Sequence, residues 1–195
     1  MNTPAHVVLN LVALNKRDDP RHLHLAVFIG AIAPDAPMFW FYFYEKIILR
    51  APEHVIWSER YYDSGWQNFF DCFNSLPIIA LLALAAWWFG QKFLIFLAAS
   101  MALHVAGDLP LHHDDGHRHF WPLSEWRFES PVSYWDTAHH GDVVMWIEGL
   151  LVVLGCLWLI RRFTSWWGRA VPLAVLLAYG SYIGYALVVW VGMDP

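Results

Sequence analysis

Phe93-Leu-Ile-Phe-Leu-Ala-Ala-Ser-Met-Ala-Leu-His104-Val-Ala-Gly-Asp108-Leu-Pro-Leu-His112-His113-Asp114-Asp115-Gly-His117-Arg-His119 is the stretch on which the reading of this chain turns. Its first eleven residues are almost wholly apolar, and side chains suited to metal ligation then arrive in close order. His104 and Asp108 are four apart, so on a helix they lie on one face, one turn above the other. An imidazole and a carboxylate so placed are natural ligands for Zn²⁺ or a similar divalent ion. A metal centre at the mouth of a membrane helix is therefore the first expectation.

Composition agrees with a membrane setting. Of 195 residues 58% are apolar and 15% charged, where a soluble domain carries about 25% charged residues. Thirteen tryptophans fit interfacial anchoring, and the pairs Trp87-Trp88 and Trp166-Trp167 flank apolar runs. Leu23–Leu49, Leu76–Phe89 (extended by Phe69–Leu76), Phe93–Leu111, Val143–Ile160 and Ala170–Gly192 are candidate spans, judged against the ~20 residues a helix needs to cross. Thr3–Leu14 covers about half a bilayer. It has no basic flank or small-residue cleavage site, and Thr3-Pro4 is a good helix start. The expected fold is an all-α polytopic membrane bundle of about five spans plus a short N-terminal half-helix. Residues 1–195 form one integral membrane domain.

Seven of the twelve basic residues (Lys16, Arg17, Arg21, Lys92, Arg161, Arg162 and Arg169) fall in three turns expected on one side. The positive-inside rule makes that side cytoplasmic. The acid- and histidine-rich segments 51–68 and 110–141 then face the periplasm of a bacterial inner membrane. The net charge of −5 reflects that acidic face and gives no sign of nucleic-acid binding. Cys72 and Cys156 carry no metal motif and are not expected to pair.

Ionisable residues inside a span are expensive and by default functional or paired. His104 and Asp108 either ligate a metal, bond each other, or cap the helix before Pro110. In Gly30-Ala-Ile-Ala-Pro34-Asp35-Ala-Pro37, a lone Asp between two prolines marks a broken helix. Such breaks occur where the backbone lines a cavity or is buried in protein. Asp35, roughly 18 Å along its helix, reaches the expected depth of His104, as a ligand or as a partner for freed amides. His6 sits on a half-helix descending to the same level. The outer loop 110–141 offers His112, His113, His117 and His119, which cannot all serve one ion. One or two could be ligands and the others could contact substrate. Its aromatics and prolines suggest an ordered lid. His24, Glu148 and Asn74-Ser75 are weaker candidates.

Thr3-Pro-Ala-His6, Gly30-Ala-Ile-Ala-Pro34-Asp35, Asn74-Ser75-Leu76, His104-xxx-Asp108 and Phe120-Trp121-Pro122 together resemble the bacterial inner-membrane metal-dependent hydrolase family. This is a membrane-bound hydrolase domain of unknown function, distantly like zinc-dependent phospholipase C. The resemblance implies helices that gather His and Asp ligands, and it strengthens His6. One departure stands out: where the family shows His-Arg-x-x-Thr-His-Ser, this chain has Phe69-Phe-Asp-Cys-Phe-Asn-Ser75. Either His112–His119 replace those histidines, or the site is altered.

The expected function is metal-dependent hydrolysis of a phosphoester or ester in a lipid-associated substrate. His6, Asp35, His104 and Asp108 would hold a divalent ion, zinc in the first instance. The ion would lower the pKa of water toward ~7, with Asp114 or His112 taking the proton. The rival expectation is a non-catalytic membrane scaffold or assembly factor. It would meet a partner through Trp146, Trp158, Tyr179, Tyr182 and Tyr185, with Gly180-Ser181-x-x-Gly184 permitting close helix approach.

Overall fold

A computed structural model of the chain describes residues 1–191; the side chains of Trp167, Tyr182, Ile183 and residues 185–191 lie outside the described residues. Nine α-helices and no strands occur among them. α1 (Thr3–Leu14) is wedged between α2 (Arg21–Ile32), α7 (Lys92–Asp108) and α8 (Gly141–Arg162). Ala5, Val8 and Leu11 of α1 meet Val27 and Ala31 of α2 and Val152, Cys156 and Leu159 of α8 in one buried cluster. α2 also lies along α7, at a separation only glycine allows. A Cβ on Gly30 would stand 2.4 Å from the Leu97 carbonyl oxygen and 2.8 Å from Ser100 Cβ. Asn10 seals the junction by donating to the Ser100 carbonyl at 2.9 Å, while Ser100 Oγ donates to the Val27 carbonyl at 2.7 Å.

The apolar run beginning at Leu23 is broken, as the flanking prolines predict. α2 ends at Ile32, and α3 (Ala36–Phe43) continues through a π-helical turn (Tyr44–Ile48) after a 56° bend. Asp35 occupies the joint. A second bend, of 42°, separates α5 (Ser64–Asn74) from α6 (Leu76–Trp88). Ser75 sits there with its hydroxyl accepting from the Ile78 amide and donating to the Trp121 carbonyl. α4 (Glu53–Ser58) packs Ile56 with Phe41 and Phe70 in a small aromatic core at the same end as the bends.

The span count falls below the expected five. Lys92–Leu111 and Gly141–Arg162 are long and apolar enough to cross a membrane, and the number rises to four if each bent pair is one span. α6 has 13 residues, about 20 Å, which is shorter than the ~30 Å hydrocarbon core. The expected fifth span, Ala170–Gly192, belongs to α9 (Trp166–Val191) and runs into the residues whose side chains are not described. The two basic turns nearest the core do share an end of the bundle. Arg162 Nη2 donates to the Asn15 carbonyl at 3.0 Å, and His24 packs edge-on against Phe163. Asp35, Asp108 and the His-rich loop lie at the opposite end.

Candidate metal centre

Two helices bring three polar side chains to one buried point. His6 comes from the first turns of α1, and His104 and Asp108 from the last turns of α7; all three are buried. Their ligand atoms lie within 4.8 Å of one another. His6 Nε2 is 2.9 Å from Asp108 Oδ1, and His104 Nε2 is 3.0 Å from Asp108 Oδ2. The two imidazoles stack at 3.6 Å between ring centroids. Small residues make this possible: a Cβ on Gly107 would stand 3.4 Å from His6 Cε1 and 2.8 Å from Met1 Cε.

The tight α2–α7 contact at Gly30 orients the second histidine. His104 Nδ1 is 2.8 Å from the Ala31 carbonyl, a bond that only an N–H can make. Nε2 is thereby directed at the centre. Such an outer partner is usual for a ligating histidine. Although two carboxylate oxygens lie near it, His104 Nε2 has no aligned hydrogen bond, and His6 Nδ1 has none either. A buried nitrogen without an aligned partner calls for a reason, and convergence on a common point beside the carboxylates supplies one. Two imidazole nitrogens and a carboxylate fit a borderline divalent ion, and three protein ligands with an open position are typical of catalytic zinc sites. The residues present therefore fit a metal.

Asp35 stands beside this triad, with Oδ1 3.4 Å from His104 Nε2 and Oδ2 accepting from Thr3 Oγ1 at 2.5 Å. Thr3 thus uses its hydroxyl beside the centre and does not cap α1, whose N-cap is Asn2 without a side-chain cap bond. Met1 N donates to Asp108 Oδ1 at 2.6 Å. Asn2, through its backbone N and Nδ2, donates to Glu148 of α8, which also accepts from Tyr179 at 2.7 Å. Glu148, a weaker site candidate from sequence, ties down the start of α1 and joins it to α9.

The loop histidines divide. His112 reaches the centre, with Nε2 3.6 Å from Asp108 and Nδ1 3.0 Å from Asp115. Burial alone would favour its neutral form, but the carboxylates of Asp108 and Asp115 outweigh that and raise its pKa to about 9. Those two carboxylates favour its protonated form over the neutral one. His117 Nδ1 lies 3.3 Å from Asp71. His113 Nδ1 meets the Ser130 carbonyl at 2.6 Å and stacks on His139, and His119 Nδ1 lies 3.3 Å from the Asn74 carbonyl. The structure brings neither of these last two to the centre.

Asp71 and Asp115 were not singled out from sequence as functional residues. Asp71 is fully buried and holds the lid: it accepts from the Arg118 backbone at 3.0 Å and pairs with the Arg118 guanidinium. The Leu76 amide donates to the His119 carbonyl at 2.8 Å. Asn74-Ser75-Leu76 is thus a dock for residues 118–121, and supplies no side chain to the metal. Nothing in the spacing of residues 71 and 118 foretold that pair.

A cavity of about 620 Å³ opens beside the centre, and Asp108 is the member of the triad on its wall. Asp35, Asp108, Asp114, Asp115, His112 and His117 line it, together with aromatic rings from α4, its following turn and the lid. Asp114 faces this space without a hydrogen bond or ion pair among the described residues. Burial, reinforced by Asp115, raises the hydroxyl pKa values of Tyr61 and Tyr134, so both remain neutral phenols.

No protein-family model, curated protein or solved structure matches the chain. Fold and site define its class: an all-helical protein with helices of membrane-crossing length and a buried His/Asp group able to hold a metal ion.

Proposed function

We propose that this chain is a metal-dependent hydrolase of the membrane-bound family its motifs resemble, acting on a phosphoester or carboxylic ester of a lipid-associated substrate. We place its site at the outer, periplasmic face of a bacterial inner membrane. The observation that carries the proposal is the convergence of His6, His104 and Asp108, with His104 Nε2 lacking an aligned hydrogen bond, directly behind a cavity whose wall includes Asp108 and Asp35. A purely structural ion-pair cluster needs no such cavity. The basic turns at the opposite end support the orientation.

His6, His104 and Asp108 would hold the ion. When bound, a divalent ion acts as a Lewis acid that acidifies water and polarises the scissile oxygen. Asp35 stays outside the triad on the cavity wall, where Oδ1 is positioned to accept the proton of the attacking water. His112 Nε2 is the proton donor to the departing oxygen, and Asp115 holds its other nitrogen. Each role requires reach of about 3 Å or one intervening water. Lid residues Tyr134 and Trp135 narrow the cavity and limit access of bulk water. The exposed apolar stripe of α8, with Val143, Trp146, Ile147, Leu150 and Leu154, suits contact with lipid.

The test is metal content by elemental analysis, together with hydrolysis of chromogenic phosphodiesters and esters in detergent. One ion per wild-type chain and none in His104→Ala/Asp108→Ala is expected. A metal-free wild-type chain purified without chelator, taking up none on addition of zinc, manganese or cobalt, overturns the proposal. The scaffold alternative draws on the same α8 stripe. Of its named contacts, Tyr179 donates its hydroxyl to Glu148 and Trp158 carries Arg162 at 4.4 Å. Tyr182 and Tyr185 lie outside the described residues, and nothing described lies within 4 Å of a Cβ on Gly180 or Gly184.

A further inference from the structure

The lining of the cavity is one-sided in charge. Four carboxylates face it, from Asp35, Asp108, Asp114 and Asp115, and among the described residues no lysine or arginine does. The nearest loop arginines are spent elsewhere. Arg118 is held by Asp71, Glu125 and Asn68, and Arg127 donates to the Gly116 carbonyl at 2.6 Å and to Gln67 at 2.8 Å. A site built for a wholly anionic substrate would present guanidinium or ammonium groups to it. Here the positive groups on the wall, the Met1 amine and the His112 imidazole, are already engaged with Asp108 and Asp115.

Aromatic rings supply the rest of the wall. Trp57, Tyr61, Tyr62 and Trp135 line it, and Trp57, Tyr62 and Trp135 are each about half exposed (45%, 61% and 57%). Trp135 is steered by its indole N–H, which donates to Asp115 at 3.1 Å. Asp114, exposed on the same wall, has no internal partner among the described residues. Aromatic faces with a free carboxylate form the recognition chemistry of an organic cation, above all a quaternary ammonium.

We propose that this cavity binds the ammonium group of its substrate, with Trp57, Tyr62 and Trp135 as the cage and Asp114 as the counter-charge. The substrate is then an ester bearing an ammonium group. The assignment rests on the hydrolase reading for the reaction but on the cavity walls alone for the binding. Asp35 and Asp108 serve the centre, Asp115 serves His112, and Asp114 is left for the ligand.

The test is equilibrium binding of radiolabelled choline to the full-length protein in detergent, with tetramethylammonium and inorganic phosphate as competitors. Saturable binding displaced by tetramethylammonium and untouched by phosphate is expected. Asp114→Asn and Trp57→Ala should each weaken it about 3- to 30-fold, while Trp57→Phe retains most of it. Unchanged elution on size exclusion shows that each variant is folded. Nanodiscs of phosphatidylcholine that displace choline where phosphatidylglycerol does not identify a lipid headgroup as the source. Choline binding untouched by either identifies a soluble ammonium compound. No saturable choline binding overturns the proposal, as does equal affinity in an Asp114→Asn/Trp57→Ala double variant. Metal content measured on the same wild-type preparation separates the two claims: a metal-free protein that binds choline sinks the hydrolase and leaves the ammonium site. A metal-loaded protein that ignores choline does the opposite.

Discussion

Gly30 lies on the face of α2 that meets α7, and its replacement by alanine should disable the centre without touching any ligand. The new methyl would begin 2.4 Å from the Leu97 carbonyl oxygen, against 3.4 Å for ordinary contact. The obstacle is backbone, so no side chain can swing aside, and the helices must part by 3.4 − 2.4, about 1 Å. Ala31 is the next residue, and its carbonyl holds His104 Nδ1 at 2.8 Å. A separation of about 1 Å stretches that bond to ~3.8 Å, beyond hydrogen-bond range. Overpacking of this kind costs about 1–3 kcal/mol. Loss of the partner that orients a ligating histidine weakens metal binding about 10- to 100-fold. The assay is zinc affinity by chelator competition, alongside thermal unfolding of the detergent-solubilised protein. Gly180→Ala is the control, because a Cβ there meets nothing within 4 Å. A folded Gly30→Ala protein with wild-type Tm and wild-type zinc affinity would refute both the close approach and the role of Ala31.

Three further perturbations separate the parts of the site. Asp115→Asn removes one of the two carboxylates holding the His112 proton; kcat should fall about 10²-fold or more, with metal content unchanged, as read by turnover and elemental analysis on one preparation. Asp71→Ala leaves the Arg118 guanidinium without its buried partner, which should destabilise the protein by about 3–5 kcal/mol and speed proteolytic cleavage of the loop 112–136. His119 is buried against the Asn74 carbonyl, and burial lowers its pKa from 6.5. Below pH 6.5 the unfolded or undocked loop therefore binds the proton more readily than the docked one. Docking should be strongest above that pH and weaken as pH falls, seen as faster hydrogen exchange of the Leu76 amide at pH 5 after correction for intrinsic rate. His119→Gln should flatten the dependence, and equal protection at both pH values would contradict it.

What the sequence made legible follows from expense. A polar group in an apolar run is costly, so His104, Asp108 and Asp35 stood out. Helical spacing then fixed the relation of the first two, and Pro34 and Pro37 marked the bend that carries the third. His6 needed the further inference that α1 descends from the site end, which the Asn2–Glu148 bonds now account for. Pairs between distant segments left no local trace. Asp71 with Arg118, 47 residues away, resembles any other loop acid and base until the lid is folded over α5. Asp114 and Asp115 are adjacent and identical in chemistry, so which one serves His112 depends on the turn that carries them. The count of two to four spans among the described residues, against five expected, has a related cause, apart from the last candidate, which runs into residues outside those described. Apolar length does not reveal a bend, and the bends at Asp35 and Ser75 divide two of the five candidate spans into shorter rods.

The conflict at Asp108 decides how the centre can work. One carboxylate stands within 3.6 Å of four nitrogens: Met1 N, His6 Nε2, His104 Nε2 and His112 Nε2. Each that donates to it must carry a proton, whereas a metal ligand must offer a lone pair. His104 resolves the conflict first, because Nδ1 needs its hydrogen for the Ala31 carbonyl. In the neutral ring that leaves Nε2 bare and aimed at the centre. His6 has no such constraint, since Nδ1 is unpartnered, so its tautomer is free to follow whatever occupies the centre. His112 lies within 3.6 Å of the carboxylates of Asp108 and Asp115 and outside the group whose ligand atoms converge. The three imidazoles therefore sort into a fixed ligand, an adaptable ligand and a proton donor. That division follows from second contacts at Ala31 and Asp115, which belong to α2 and to the lid.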